Sequence, residues 1–330
     1  MNLFQSRTHE HKLHPAFRAL RDSDIHVDAR SLMNALYARM GDPNGNFPGD
    51  FQTDGFHSRL FELACFAYLE SAGLDLDRSH ESPDFLALAR DDVTIAIEAT
   101  TANPTAGRAT DISLLQMPDL SEAEIFDKVE NEFPRRMASV LQKKLAHRYH
   151  ELPHCVGKPL VLMVAPFFEP GAVFYTDESL LKCLYGVGGI TEVAAVPFFD
   201  QPDAGSISAV LYCNAFTVPG FLRMATRFEN AKEVSAVRKG FCYIGDPNVD
   251  APPHEFQFQV GDPSAPKETW HEGVTLFINP NASHPLQRSL LPHTCTFSVR
   301  ENVVHREVHG FHPVTSFMFI SVHSANETAT

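Results

Sequence analysis

Two β-rich runs, Asp84-Phe85-Leu86-Ala87-Leu88-Ala89 and Val93-Thr94-Ile95-Ala96-Ile97-Glu98, stand on either side of Arg90-Asp91-Asp92. Three polar residues between two such runs predict a β-hairpin with a three-residue loop. Pairing symmetric about Asp91 sets Asp84 opposite Glu98. Directly opposed side chains on an antiparallel pair share a face, with Cβ atoms roughly 4.5–5.5 Å apart, and two like charges there repel unless something neutralises them. A divalent cation is the candidate. Alternation places Leu86, Leu88 and Ala96 on the acids' face and Phe85, Ala87, Ile95 and Ile97 on the other, so the hairpin is expected to be buried on both sides. Everything hangs on register, because a loop one residue longer or shorter moves the acids off each other. The alternative reading is two unrelated strand-end acids in solvent.

With 330 residues, 44% of them apolar, the chain can bury a large core as one α/β unit or two domains. No apolar run approaches the roughly 20 residues that span a bilayer, and the N-terminal Met1-Asn2-Leu3-Phe4-Gln5-Ser6 stretch lacks a signal peptide's apolar segment. A cytoplasmic protein is expected. Six cysteines lie far apart with no CxxC pair, as buried reduced thiols would. The net charge of −14 argues against coating nucleic acid by bulk attraction. One stretch runs against that balance: Arg135, Arg136, Lys143, Lys144 and Arg148 follow an acidic run at 122–132. It reads either as a solvated helix face with dipole-matched charges or as a phosphate-contacting stripe.

Periodicity predicts a short helix at 29–40, stopped by Gly41-Asp42-Pro43-Asn44-Gly45, and a second at 56–72, apolar nearly all round and stopped by Gly73. Glu62 is the exception within that second helix, either on a wet stripe with Arg59 and Glu70 or beside the acid pair. A strand at 74–79 precedes the hairpin, a loop at 101–107 follows it, and a long helix is expected at 121–151 with an interruption near Pro134. Ser121 and Glu124 form its capping box. A buried strand at 159–167 completes an α-β-β-β-α-β order. Beyond it come a helix at 179–185, a strand at 207–213, a helix at 220–228 and strands at 274–278 and 316–322, within a loop-rich remainder. The division expected is an N-terminal helical extension over 1–50, a core over 51–215 and a C-terminal extension over 216–330, either separate or part of the same domain.

That order, with a helix glutamate, Pro83-Asp84 on one strand and Glu98-Ala99-Thr100 on the next, resembles the PD-(D/E)xK nuclease superfamily over roughly residues 56–167. The resemblance implies an α/β fold of three layers, a mixed sheet between helices as in restriction endonucleases, and metal-dependent hydrolysis of nucleic acid, DNA before RNA. By the same resemblance Asp84 and Glu98 are metal ligands, the Ala99 carbonyl faces the metal, Glu62 is the first-helix acid, and the cation is Mg²⁺ or Mn²⁺. Thr100 departs from the pattern, standing where the family carries lysine; a hydroxyl has neither lysine's charge nor its basicity. Some members supply the lysine from the following helix, where Lys143 and Lys144 stand. Successive helical residues point about 100° apart, so only one can face the sheet, and Lys144, beside the Leu141 and Leu145 stripe, is the choice. The segments Trp270-His271-Glu272-Gly273 and Asn279-Pro280-Asn281-Ala282 also resemble a group of bacterial proteins, which adds no chemistry.

Other signals are weaker. His305 and His309 have HxxxH spacing, but Val303-Val304 and Gly310 favour strand or loop over the helix a zinc pair requires. His147, His150 and His154 read as surface or capping residues. Gly186-Val187-Gly188-Gly189 lacks the Lys-Ser/Thr of a nucleotide loop, and there is no GxSxG elbow. Two functions stay open: a metal-dependent endonuclease, or an inactive nuclease-like fold that binds protein or nucleic acid, with a homo-oligomer or protein partner compatible with either.

Overall fold

The computed structural model describes residues 2–104, 119–169, 171–187, 196–225, 234–245 and 252–322. Helices α1 (Pro15–Asp22), α2 (Val27–Met40), α3 (Phe47–Gln52) and α4 (Phe56–Ser71) open the chain. Then come strands β1 (Asp75–Asp77), β2 (Phe85–Leu88) and β3 (Thr94–Ala102), helices α5 (Glu122–Asp127) and α6 (Phe133–Leu145), β4 (Leu160–Pro166), α7 (Leu181–Tyr185), β5 (Ala209–Tyr212) and α8 (Val218–Ala225). Strands β6 (Val234–Ile244), β7 (His254–Gln259), β8 (Thr275–Ile278), β9 (Cys295–Arg300), β10 (Val303–Val308) and β11 (Phe311–Val322) complete it.

Eight strands make one mixed sheet in the order β1-β2-β3-β4-β5-β8-β9-β10, and β11-β6-β7 form a second, three-stranded sheet. The β3, β4 and β5 neighbours run parallel, as do β8 and β9. Such pairing needs crossovers that cover the faces, and it explains why β4 is buried along its whole length. One face of the large sheet presents Phe85, Ala87, Ile95, Ile97, Val161 and Met163 to the side chains of α1–α4. The other presents Leu86, Ala96, Leu160 and Leu162 to Phe133, Met137 and Leu141 of α6. The result is the expected α/β architecture, helices on both sides of a mixed sheet.

The hairpin has the predicted register: Phe85 pairs with Ile97, Leu86 with Ala96, Ala87 with Ile95 and Leu88 with Thr94. The turn closes through Asp92 N–H to the Ala89 carbonyl at 3.1 Å, with Asp92 left-handed at φ 59°. This is the three-residue loop geometry that aspartate tolerates better than most residues. Helix α4 is buried at every position from Leu60 to Leu69, and Gly73, at φ +75°, ends the turn that follows it.

Several expectations are corrected. The helix expected over 121–151 with an interruption near Pro134 is α5, a π-helical turn Lys128–Glu132 just before Pro134, and α6; it ends at Leu145 rather than 151, and a short turn Tyr149–Glu151 follows. Pro134 has no N–H for the Glu130 carbonyl, which accepts from Lys182 Nζ at 3.4 Å instead. Left-handed Arg148, φ 53°, then turns the chain. Thr101 and Ala102, expected in a loop, extend β3; residues 105–107 of that loop lie outside the described residues. The described residues of the C-terminal third contribute six strands, more than the two expected there, and three of them lie inside the main sheet. Residues of the N-terminal 50, among them Phe17, Leu20, Met33 and Leu36, share one apolar cluster with α4 and the sheet. All six cysteines are free and buried, as read from their spacing. No helix among the described residues is long and apolar enough to cross a membrane.

Candidate active site at the hairpin

The register carries Asp84 opposite Glu98 one step beyond the last paired residues of β2. Each acid grips the other strand's backbone: Ala99 N–H donates to Asp84 Oδ2 at 2.8 Å, and Asp84 N–H donates to Glu98 Oε2 at 3.3 Å. The two carboxylates are therefore fixed side by side, on the face that α6 covers. Glu98 is buried and Asp84 half-buried. Burial first, then the charges of Glu98 and Glu62, push the Asp84 carboxyl well above its usual range, with the Ala99 N–H and Lys144 pulling the other way.

Lys144 approaches from α6 and sets its ammonium 2.5 Å from Glu98 Oε1, while Lys143 is exposed. The choice between adjacent lysines follows the helical angle: Leu141 is fully buried against the sheet, and Lys144, three residues on, shares its side. The Tyr149 hydroxyl also lies near Glu98, and burial followed by that carboxylate's charge raises its pKa. Sequence pattern does not single out Tyr149, because it carries the helix on to 151 whereas α6 ends at Leu145. It is the left-handed turn at Arg148 that returns the ring to the sheet. His154, read as a surface or capping residue, instead sets its Nε2 2.7 Å from the Ser82 carbonyl in the loop before β2, and its ring stacks on His80 at 3.8 Å between centroids. It holds the chain immediately before Pro83-Asp84.

Glu62 departs from expectation. Its helix packs on the opposite face of the sheet from Lys144, and both its oxygens are taken, Oε2 by Arg59 at 2.7 Å and Oε1 by Arg78. Arg78 in turn lies over the Phe85 ring. Glu62 is not a solvent-facing residue but a buried acid under two guanidinium groups, near enough for its charge to act on Asp84. Among the described residues, the only three ligand-type side chains whose donor atoms all lie within 4.8 Å of one another are Asp177, Cys295 and His312.

Thr100 projects to the same face as Glu98, half-buried, whereas Thr101 turns to α4 and bonds the Ser58 hydroxyl at 2.9 Å. The basic stretch of α6 is partly neutralised: Arg148 pairs with Glu151 at 2.5 Å, and Arg136 approaches Glu132 and covers the Phe168 ring. His305 sits in strand β10, where HxxxH spacing does not align two rings. Gly188 and Gly189 lie outside the described residues. Compared with known proteins, the chain matches no family model, no curated protein and no solved structure.

Proposed function

We propose that the chain is a metal-dependent phosphodiesterase acting on nucleic acid, most plainly a DNA endonuclease in the cytoplasm, with Asp84 and Glu98 holding Mg²⁺ or Mn²⁺. The observation that supports it is charge: among the described residues, the two adjacent carboxylates have a single cation paired with them, Lys144. A hard dication suits oxygen ligands of this kind. When bound it would neutralise charge on the phosphate and lower the pKa of its water.

The chain's own groups divide the remaining work. Asp84 and Glu98 are fixed by main-chain hydrogen bonds and need no reorganisation to receive a cation. Ala99, whose N–H orients Asp84, offers its carbonyl as a further ligand by analogy with the family. Lys144 supplies the positive charge that Thr100 cannot, contacting the phosphate after exchanging Glu98 for it. Tyr149 lies near Glu98 as well. Glu62 acts as a positioning residue through Arg78, whose guanidinium lies over Phe85, next to Asp84. Exposed Arg135 and Lys143 contribute local attraction for the strand.

The test is cleavage of supercoiled plasmid by purified protein with Mn²⁺ or Mg²⁺. Nicking that vanishes on chelation, and in Asp84→Ala and Glu98→Ala, supports the assignment. Wild-type protein that neither binds Mn²⁺ nor nicks DNA overturns it in favour of a non-catalytic binding fold, a reading favoured by Thr100 and by the closed Lys144–Glu98 pair.

A further inference from the structure

Away from the hairpin, three side chains with different donor atoms meet in a dry place. Asp177 follows β4 on a single helical turn, Cys295 opens β9 and His312 lies on β11. All three are buried, and their oxygen, sulfur and nitrogen donors lie within 4.8 Å of one another. We propose that they form a zinc site that fastens the three-stranded sheet to the eight-stranded one.

The donor set is the first argument. Zinc takes thiolate, imidazole and carboxylate at about 2.0–2.3 Å, so ligand atoms of a tetrahedral site stand about 3.3–3.8 Å apart. His312 Nε2 and Asp177 Oδ2 are already 3.2 Å apart, and the 4.8 Å limit leaves about 1 Å for side-chain rotation to close. Charge is the second: a thiolate, a carboxylate and a neutral imidazole around Zn²⁺ sum to zero, which a buried site requires. The third lies in the surrounding groups. His312 Nδ1 is 2.8 Å from the Thr294 hydroxyl, which fixes the ring with Nε2 towards Asp177; ligand imidazoles are characteristically held this way through their second nitrogen. Asp177 is oriented by the Thr275 hydroxyl at 2.6 Å and the Glu178 N–H at 2.9 Å. Three protein donors leave a fourth position to the Thr275 hydroxyl or a water. Binding releases the Cys295 thiol proton and any proton on His312 Nε2 to solvent, so affinity rises with pH.

The site is independent of the hairpin acids, so the two metal assignments stand or fall separately. Protein produced in zinc-supplemented medium and freed of loosely held ions is expected to carry about one zinc per chain by elemental analysis. Asp84→Ala is expected to keep it, and Cys295→Ser and His312→Gln to fall to less than a fifth of it. Refolding wild type with Co²⁺ supplies a readout that needs no variant: a thiolate-to-cobalt absorption band near the ultraviolet edge and visible bands of tetrahedral intensity. Zinc-free wild type with no cobalt band overturns the proposal and leaves a buried hydrogen-bonded contact between His312 and Asp177. Zinc that persists in both variants also overturns it.

Discussion

Two pairs of neighbouring acids in this fold are treated in opposite ways. Glu268 and Glu272 lie among two arginines: Arg238, fully buried, reaches both, and Arg223 bonds Glu268 at 2.9 Å. Three phenylalanines, Phe256, Phe258 and Phe311, ring the Arg238 guanidinium at 5.7–5.8 Å. Two negative charges meet two positive ones inside a closed aromatic shell. Among the described residues, Asp84 and Glu98 meet one, with Asp84 half-open to solvent. Burial pushes up the carboxyls of both Asp84 and Glu272, but Arg238 opposes the rise at Glu272 in full contact, whereas at Asp84 the next largest influence, Glu98, adds to it. One pair is a finished structural joint; the other is left short of positive charge, and that shortage is where a cation fits.

The contrast breaks most visibly at Arg238. Arg238→Ala leaves Glu268 and Glu272 buried with one partner between them and is expected to cost about 3–5 kcal/mol, as removal of one member of a buried ion set does. A fall in the urea midpoint of less than a tenth would contradict the closed-joint reading. Lys144→Ala is expected to act on function instead: cleavage falls about 100-fold, the scale set by losing one charge-stabilising group at a reacting centre, while the fold holds. Full cleavage in that variant removes Lys144 from the mechanism. Lys144→Arg, which keeps the charge but not the point geometry, is expected to recover part of the rate.

The hairpin and its lysine were legible because their determinants are local. Turn residues and alternation fix the register over fifteen residues, and a 100° step separates Lys144 from Lys143. Glu62 was half legible: an acid in an apolar helix signalled a buried role, but nothing in the order of residues says which face of the sheet the helix covers or that Arg78 follows β1 to meet it. The joint and the Asp177–Cys295–His312 group were illegible for a stronger reason. Arg223 and Arg238 stand about thirty or more residues before Glu268 and Glu272, and Asp177 more than a hundred before Cys295 and His312; they meet through β11 pairing with β6 and β8 running parallel to β9. Some signal was there to use. Glu255-Phe256-Gln257-Phe258-Gln259 alternates as a half-buried strand does, and it is β7.

Smaller effects sharpen the comparison. A carboxyl whose folded pKa lies above its unfolded value binds more protons folded than unfolded, so its contribution to stability declines as pH rises from the unfolded pKa through the folded one. For Asp84, raised in the folded state, cation-free protein is therefore expected to gain stability as pH is lowered towards 4 and to lose it towards neutrality, as far as this group is concerned. Asp84→Asn is expected to raise neutral-pH stability by about 1 kcal/mol and to flatten that part of the profile. Mn²⁺ should raise the melting temperature of wild type and not of the variant. An unchanged pH profile in Asp84→Asn would mean that the pair is already neutralised, as Glu268 and Glu272 are.

The smallest expected effect isolates geometry from charge. Lys143→Ala removes the same charge as Lys144→Ala, one residue away on an exposed part of α6, and a surface substitution of this kind stays within about 0.5 kcal/mol of wild type. Cleavage is expected to change less than threefold at physiological salt, with a shallower salt dependence because one fewer cation attracts the strand. If Lys143→Ala and Lys144→Ala reduce cleavage equally, the helix contributes only a diffuse field. If only Lys144→Ala does, the 2.5 Å contact with Glu98 marks the lysine that the Glu98-Ala99-Thr100 segment lacks.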